Sequence, residues 1–245
     1  MSVARPAAVA VQFLTRFPTG VAAVTGEDLG RSIPFFPLAG ALLGAALAGA
    51  AAAISGRIAP ALGAALLLAL HAFLTGGLHL DGLADLFDGL SGGAGDRART
   101  LAIMRDSRIG AHGAAALVVA LLLKAAALVT LLERRELFAL LAFPAVARFS
   151  VVPLVVWLPY ARPEGMGKPF HGGGRGWHVP FAAVLAAAAA AGMRAHAIVP
   201  VLAALLAAGA AARAMHRRLG GLTGDVYGAC IELAEVGFLV AAAAG

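Results

Sequence analysis

Charge is what this sequence has least of. Only 13% of its 245 residues are Asp, Glu, Lys or Arg, and 61% are hydrophobic. A soluble domain carries about 25% charged and 45–50% apolar residues, so an ordinary water-soluble globule and a disordered chain are both excluded. Cysteine is nearly absent: the single Cys230 rules out an internal disulfide. Aromatics make up 7%, and no block of like charge runs along the chain. The net charge of +6 therefore lacks the basic stripe and stacking residues of a nucleic-acid binder. The first twenty residues have no clear apolar core followed by a small-residue cleavage site, so no signal peptide is expected.

What is abundant is long apolar sequence. Stretches near the ~20 residues needed to cross a hydrocarbon core recur along the chain. Seven can be drawn: Ile33–Ile54, Ile58–Leu78, Ile109–Leu132, Leu137–Tyr160, Val179–Met193, Ala197–Ala212 and Val226–Gly245. The fifth and sixth are short, which suits a tight hairpin or local thinning of the bilayer. The 31 glycines, with many alanines, favour close helix packing in lipid. The expectation is an all-α, polytopic membrane bundle of about seven helices, forming one domain over residues 1–245 with no repeat or linker.

If the N-terminus lies in the cytoplasm and the spans alternate, only Arg57, Arg134, Arg135 and Arg194 fall outside, and Lys124 and Arg148 lie within spans. Every other Lys and Arg is then cytoplasmic, as the positive-inside rule requires. The acids share the bias: Glu133 and Glu136 alone are external. The polar chemistry is expected on the cytoplasmic face.

That chemistry falls into three groups. His79-Leu80-Asp81-Gly82-Leu83-Ala84-Asp85-Leu86-Phe87-Asp88-Gly89 sets three aspartates at i, i+4 and i+7, within about 60° on one helix face. Like charges that close are most easily held together by a cation, and all-oxygen ligands suit magnesium or manganese bound with substrate phosphates. The plain alternative, a solvated charged edge, sits poorly with the apolar flanks. The second group is Gly224-Asp225 with Glu232 and Glu235 further along the same apolar helix. Intramembrane carboxylates point to function, although an ion pair with Lys124 or Arg148 is the competing structural reading. The third is basic: Arg97, Arg99, and the Arg105-Asp106-Ser107-Arg108 cluster. Arginine forks bind phosphate in bidentate fashion, whereas Arg97 and Arg99 need no more than an orienting role. The loop Tyr160–His178, with Arg162, Glu164, Lys168, His171 and Arg175, reads as a cover that orders over substrate.

Acidic metal ligands beside arginines suggest chemistry on a diphosphate. That class embraces phosphotransferases, prenyltransferases and lipid diphosphatases. A transporter is the more distant alternative, because an ion pathway would carry polar residues to both faces.

Several segments bear a resemblance beyond this chemistry. Phe13-Leu14-Thr15-Arg16-Phe17-Pro18, Phe36-Pro37-Leu38-Ala39-Gly40, Gly76-Gly77-Leu78-His79-Leu80-Asp81-Gly82-Leu83-Ala84-Asp85, Met104-Arg105-Asp106-Ser107-Arg108-Ile109-Gly110 and Gly220-Gly221-Leu222-Thr223-Gly224-Asp225 resemble the cobalamin synthase family nearly end to end. Tyr160-Ala161-Arg162 and Glu164-Gly165 extend the likeness. Asp81-Gly82 is also similar to the opening of the CDP-alcohol phosphotransferase signature, but Asp85 and Leu86 stand where that signature has Ala and Arg.

The resemblance implies a ribazoletransferase that moves adenosylcobinamide phosphate from adenosylcobinamide-GDP to a ribose hydroxyl of α-ribazole or its 5′-phosphate, releasing GMP. Magnesium, with manganese as a substitute, is the implied cofactor, and the cytoplasmic face of the cell (inner) membrane the implied place. Docking of other cobalamin-biosynthesis enzymes and self-association are compatible with it; nucleic acid is not a partner. Expected metal ligands are Asp81, Asp85, Asp88, Asp225 and Glu232. Expected catalytic groups are Asp88, Glu232 and His79, one of the two carboxylates taking the proton of the attacking hydroxyl. Expected substrate-binding groups are Arg105, Arg108, Asp106, Arg16, Arg162 and Lys168.

Overall fold

The computed structural model describes residues 3–245. Its helices are α1 (Ala4–Leu14), α2 (Gly26–Ser32), α3 (Phe36–Ile54), α4 (Pro60–Thr75), α5 (Leu78–Gly92), α6 (Arg97–Ile103), α7 (Ala111–Glu133), α8 (Leu137–Trp157), α9 (Lys168–Gly173), α10 (His178–Ala190), α11 (Ile198–Leu219) and α12 (Gly224–Ala244). Short 3₁₀ segments precede α3 and α11.

Among the described residues, five helical stretches are long and apolar enough to cross a membrane, or six if the bent pair α4–α5 counts as one span. The expected seven differ for two reasons. The fifth and sixth fall in one stretch, His178–Leu219, broken where Arg194 leaves helical geometry at φ 54° and ψ −133°. On either side of that break the chain packs differently, α10 against α3 and α8, α11 against α12 and α8. The second difference is α4, which stops at Thr75.

The hydrophobic core centres on α8, enclosed by α3, α10, α11 and α12. Along a lipid-exposed bundle apolar burial gives little drive, and close backbone approach does more. Gly40 and Gly44 of α3, one turn apart, lie on the Pro144 and Leu141 backbone of α8, with no room for a methyl group at either. On the other side of α8 the bundle hides a set of charges: Lys124 of α7, Arg148 of α8, and Glu232 and Glu235 of α12, none more than 3% exposed. Lys124 Nζ donates to Glu232 Oε2 at 2.6 Å and also to Glu235, whose other oxygen accepts from Arg148. Two cations face two anions, so the group is neutral as a whole.

The turn that organises the functional end lies between α4 and α5. Gly76 and Gly77 take φ of 67° and 72° in succession, a left-handed pair that glycine alone adopts without strain. The chain bends by 92° there, so α5 does not continue the span but crosses the end of the bundle. It passes over α12 at Gly82, where an added Cβ would lie 2.6 Å from the Asp225 carbonyl. It reaches α7 at Asp88, whose carboxylate accepts the Gly110 N–H at 2.7 Å and the Gly113 N–H at 2.8 Å.

Candidate active site

Three carboxylates converge where α5 crosses α12. Asp81 and Asp85 stand one turn apart on α5, and Asp225 occupies the first turn of α12 behind its Thr223 cap. Burial first, and then the charges of Asp81 and Asp225, push the Asp85 carboxyl up to about 7. The oxygens of all three are the hard donors magnesium prefers. Among the described residues no three His, Cys, Asp or Glu side chains stand at separations that would already grip a metal ion. The donor set fits in chemistry, with closure left to the ion and its phosphates, as is usual for magnesium, which keeps waters and shares substrate oxygens.

Arg162 completes this corner. Its Nη1 donates to Asp225 Oδ2 at 2.9 Å and its Nη2 to the Leu101 carbonyl at 3.4 Å, while its Nε has no partner. Backbone pairing fixes it: Ala161 N–H donates to Leu222 O and Leu222 N–H to Pro159 O, each at 2.8 Å, tying the segment after α8 to the one before α12. Arg97 braces the same junction by donating to the Leu219 and Ala161 carbonyls at 2.7 and 2.8 Å. It is a structural clamp.

A cavity of about 470 Å³ opens here, lined at its polar part by Asp81, Arg105, Tyr160, Arg162, Glu164 and Asp225. A second, of about 480 Å³, lies along α5 and the start of α7 and includes Asp81, Asp85 and Ser107. Asp81 lines both. The Tyr160–His178 segment is less loose than its composition suggests, since it holds α9 and buries Phe170 against Phe13 and Phe36, at 4.7 and 5.6 Å between ring centres. Glu164 to Gly167 form part of the cavity wall.

Of the expected set, the structure brings Asp81, Asp225, Arg105, Arg162 and His79 to one cavity and Asp85 to a second that shares Asp81, and it gives several of the others different partners. Both oxygens of Asp88 are taken by the N-terminus of α7, a helix-capping role. Glu232 is buried against Lys124. Asp106 and Arg108 pair with each other at 2.6 Å on the surface, Arg108 holding the Asp106 carboxyl down at about 2. Arg16 lies 5.5 Å over the Phe73 ring beside Gly76, buttressing the α4–α5 turn. Lys168 is exposed at the start of α9 and lines no part of the large cavity. His79 does line it, with Nδ1 3.3 Å from Arg148 Nη2. A guanidinium only donates, so Nδ1 accepts and the imidazole proton sits on Nε2. That tautomer makes His79 a hydrogen-bond donor rather than a base.

Tyr227 escaped the sequence reading. It and Tyr160 are the only two tyrosines in the chain, and both line the cavity. An amphipathic residue amid the glycine and alanine of α12 was the available signal.

Residues 6–243 match the family model described as cobalamin-5-phosphate synthase. Proteins named adenosylcobinamide-GDP ribazoletransferase are similar over most of their length: 43% identity in Pseudomonas paraeruginosa, 42% in Pseudomonas aeruginosa and 41% in Stutzerimonas stutzeri, each over 96% of both chains. No solved structure matches the chain. The chain belongs to the cobalamin-5-phosphate synthase family.

Proposed function

From that membership we propose that this membrane protein is an adenosylcobinamide-GDP ribazoletransferase. It joins adenosylcobinamide phosphate to a ribose hydroxyl of α-ribazole or α-ribazole 5′-phosphate and releases GMP. The observation that carries the reading is that Asp81 and Asp225 line one cavity with Arg105 and Arg162, while Asp85 lines a second cavity that shares Asp81. In the reaction the hydroxyl oxygen bonds to the cobinamide-side phosphorus, the phosphoanhydride oxygen leaves with GMP, and the hydroxyl proton passes to a carboxylate of this group.

Arg105, exposed at the rim, and Arg162, which lines the same cavity, would hold the diphosphate and the departing GMP. Asp81, Asp85 and Asp225 would hold magnesium, which when bound neutralises charge on the phosphate oxygens. Glu164 to Gly167 screen the site from water. By the distribution of arginines the site faces the cytoplasm from the inner membrane.

Purified protein should release GMP from adenosylcobinamide-GDP in equal amount to the cobalamin product, only with acceptor and magnesium present. GMP release that ignores the acceptor would mark a diphosphatase instead.

A further inference from the structure

The short helix α9 borders two features of the surface. Phe170 lines the reacting cavity, whereas Pro169, Gly172 and Gly173 line a broad groove of about 920 Å³ formed with α1, α2 and the start of α10. The charged lining of this groove is Arg5, Glu27, Asp28, Arg31 and Arg175, so three cations face two anions. Arg5 donates from Nε and Nη2 to the two oxygens of Asp28, each at 2.9 Å, which leaves its Nη1 unspent. Arg31 Nη2 meets a Glu27 oxygen at 2.6 Å. Arg175 has no carboxylate within ion-pair reach among the described residues, and all three arginines are exposed. The groove runs onto apolar surface at Trp177, which lines it and is 56% exposed. Phe181 and Val184, four and seven residues further on, fall on the same helix face and are 39% and 68% exposed. Phe181 also packs edge-on against Phe35 of the groove, 5.3 Å between ring centres.

We propose that this groove binds an anionic phospholipid, its phosphate on Arg175 and the unspent N–H groups of Arg5 and Arg31, and one acyl chain along Trp177, Phe181 and Val184. The order of chemistry along the surface is that of the lipid. Guanidinium forks suit a phosphate, and an exposed tryptophan at the start of a membrane-spanning stretch marks the level of the headgroups. The apolar stripe beyond it descends about 10 Å from Trp177 to Val184, into the depth of the acyl chains. Glu27 and Asp28 do not oppose the phosphate as free charges, since an arginine engages each. A zwitterionic lipid would bring a cation of its own into a groove that already holds one in excess. A free phosphate would leave the stripe unused. The site stands apart from the reaction the chain performs.

The test is native mass spectrometry of the full-length protein in detergent, titrated with phosphatidylglycerol or phosphatidylcholine, with thermal unfolding followed on the same samples. Wild type should bind phosphatidylglycerol about fivefold or more tighter than phosphatidylcholine, and be stabilised by it more. Arg175→Gln should weaken phosphatidylglycerol about fivefold and leave phosphatidylcholine within about twofold. Arg31→Gln removes a second groove cation and gives the same reading if Arg175→Gln fails to fold. Trp177→Ala should weaken both lipids. Arg217→Gln, which takes an exposed cation from the end of α11 outside the groove, should change neither. Unchanged phosphatidylglycerol binding in the folded Arg175→Gln and Arg31→Gln proteins would overturn the proposal. An equal loss in Arg217→Gln would also overturn it, because the preference would then belong to the overall field of the surface. Stabilisation by glycerol phosphate equal to that by phosphatidylglycerol at the same concentration would mark a site for free phosphate instead.

Discussion

Replacing Lys124 with methionine takes one of two cations out of a buried, neutral set of four charges. Lys124 donates to both Glu232 and Glu235, and Arg148 holds only Glu235. The variant therefore leaves Glu232 ionised or newly protonated, in either case without its partner, 3% exposed inside the bundle. Removing one member of a buried pair costs about 3–5 kcal/mol. At roughly 2–4 °C per kcal/mol for a chain of this size, the unfolding midpoint should fall by about 6–20 °C. A second substitution, Glu232→Gln, removes the orphaned charge and leaves Arg148 and Glu235 balanced. The double variant should recover most of the lost stability and, since Glu232 lies outside the reacting site, release GMP within roughly threefold of wild type. Thermal unfolding in detergent, paired with GMP release on the same samples, decides the matter. A double variant that is stable but inactive would refute the reasoning and return Glu232 to the reacting site. A Lys124→Met protein as stable as wild type would refute the charge balance.

Other outcomes follow from the same geometry. The raised Asp85 carboxyl means that the folded protein holds this proton more tightly than the unfolded chain does. Its contribution is favourable at low pH and is lost as pH rises from the ordinary carboxylate range towards 7. Metal-free protein should lose thermal stability across that window; Asp85→Asn should flatten the loss, and magnesium should reverse it. Arg162→Lys breaks the fixed fork between Asp225 and the Leu101 carbonyl and should lower kcat/KM by about 10–100-fold, read in steady-state GMP release. Gly44→Leu drives a side chain into the α8 backbone and should cost about 1–3 kcal/mol or more, seen as a lower unfolding midpoint. A thiol introduced at Arg108 should react with an impermeant reagent from the cytoplasmic side, and one at Arg134 only from the other.

Much of this molecule was legible from local pattern. Apolar length gave the helices; Asp81, Asp85 and Asp225 stood out as acids beside apolar sequence, Arg105 as part of an Arg-Asp-Ser-Arg cluster, and Arg162 as a charge in the loop read as a cover. What misled was helical spacing carried one turn too far. Asp88 does share a face with Asp81 and Asp85, but α7 begins beside it, and two backbone N–H groups from 22 and 25 residues away take its oxygens. For Glu232 the sequence left two readings open, a reacting carboxylate or an ion pair with Lys124 or Arg148, and the structure shows the pair with Lys124, 108 residues distant. Such pairings depend on which helix ends meet in space. The double glycine at 76 and 77 was visible as a motif, yet its consequence, a helix laid across the bundle, is a property of two left-handed residues in succession.

Asp81, Asp85 and Asp225 are proposed to hold a divalent ion, which would neutralise charge on the phosphate oxygens. The most direct measurement is a metal switch: Asp81→Cys and Asp225→Cys, assayed for GMP release in magnesium and then with manganese or cadmium added. Both variants should be inactive with magnesium, which binds thiolate poorly, and regain turnover with the more thiophilic ions. Full activity of Asp81→Cys and Asp225→Cys in magnesium alone would contradict the account.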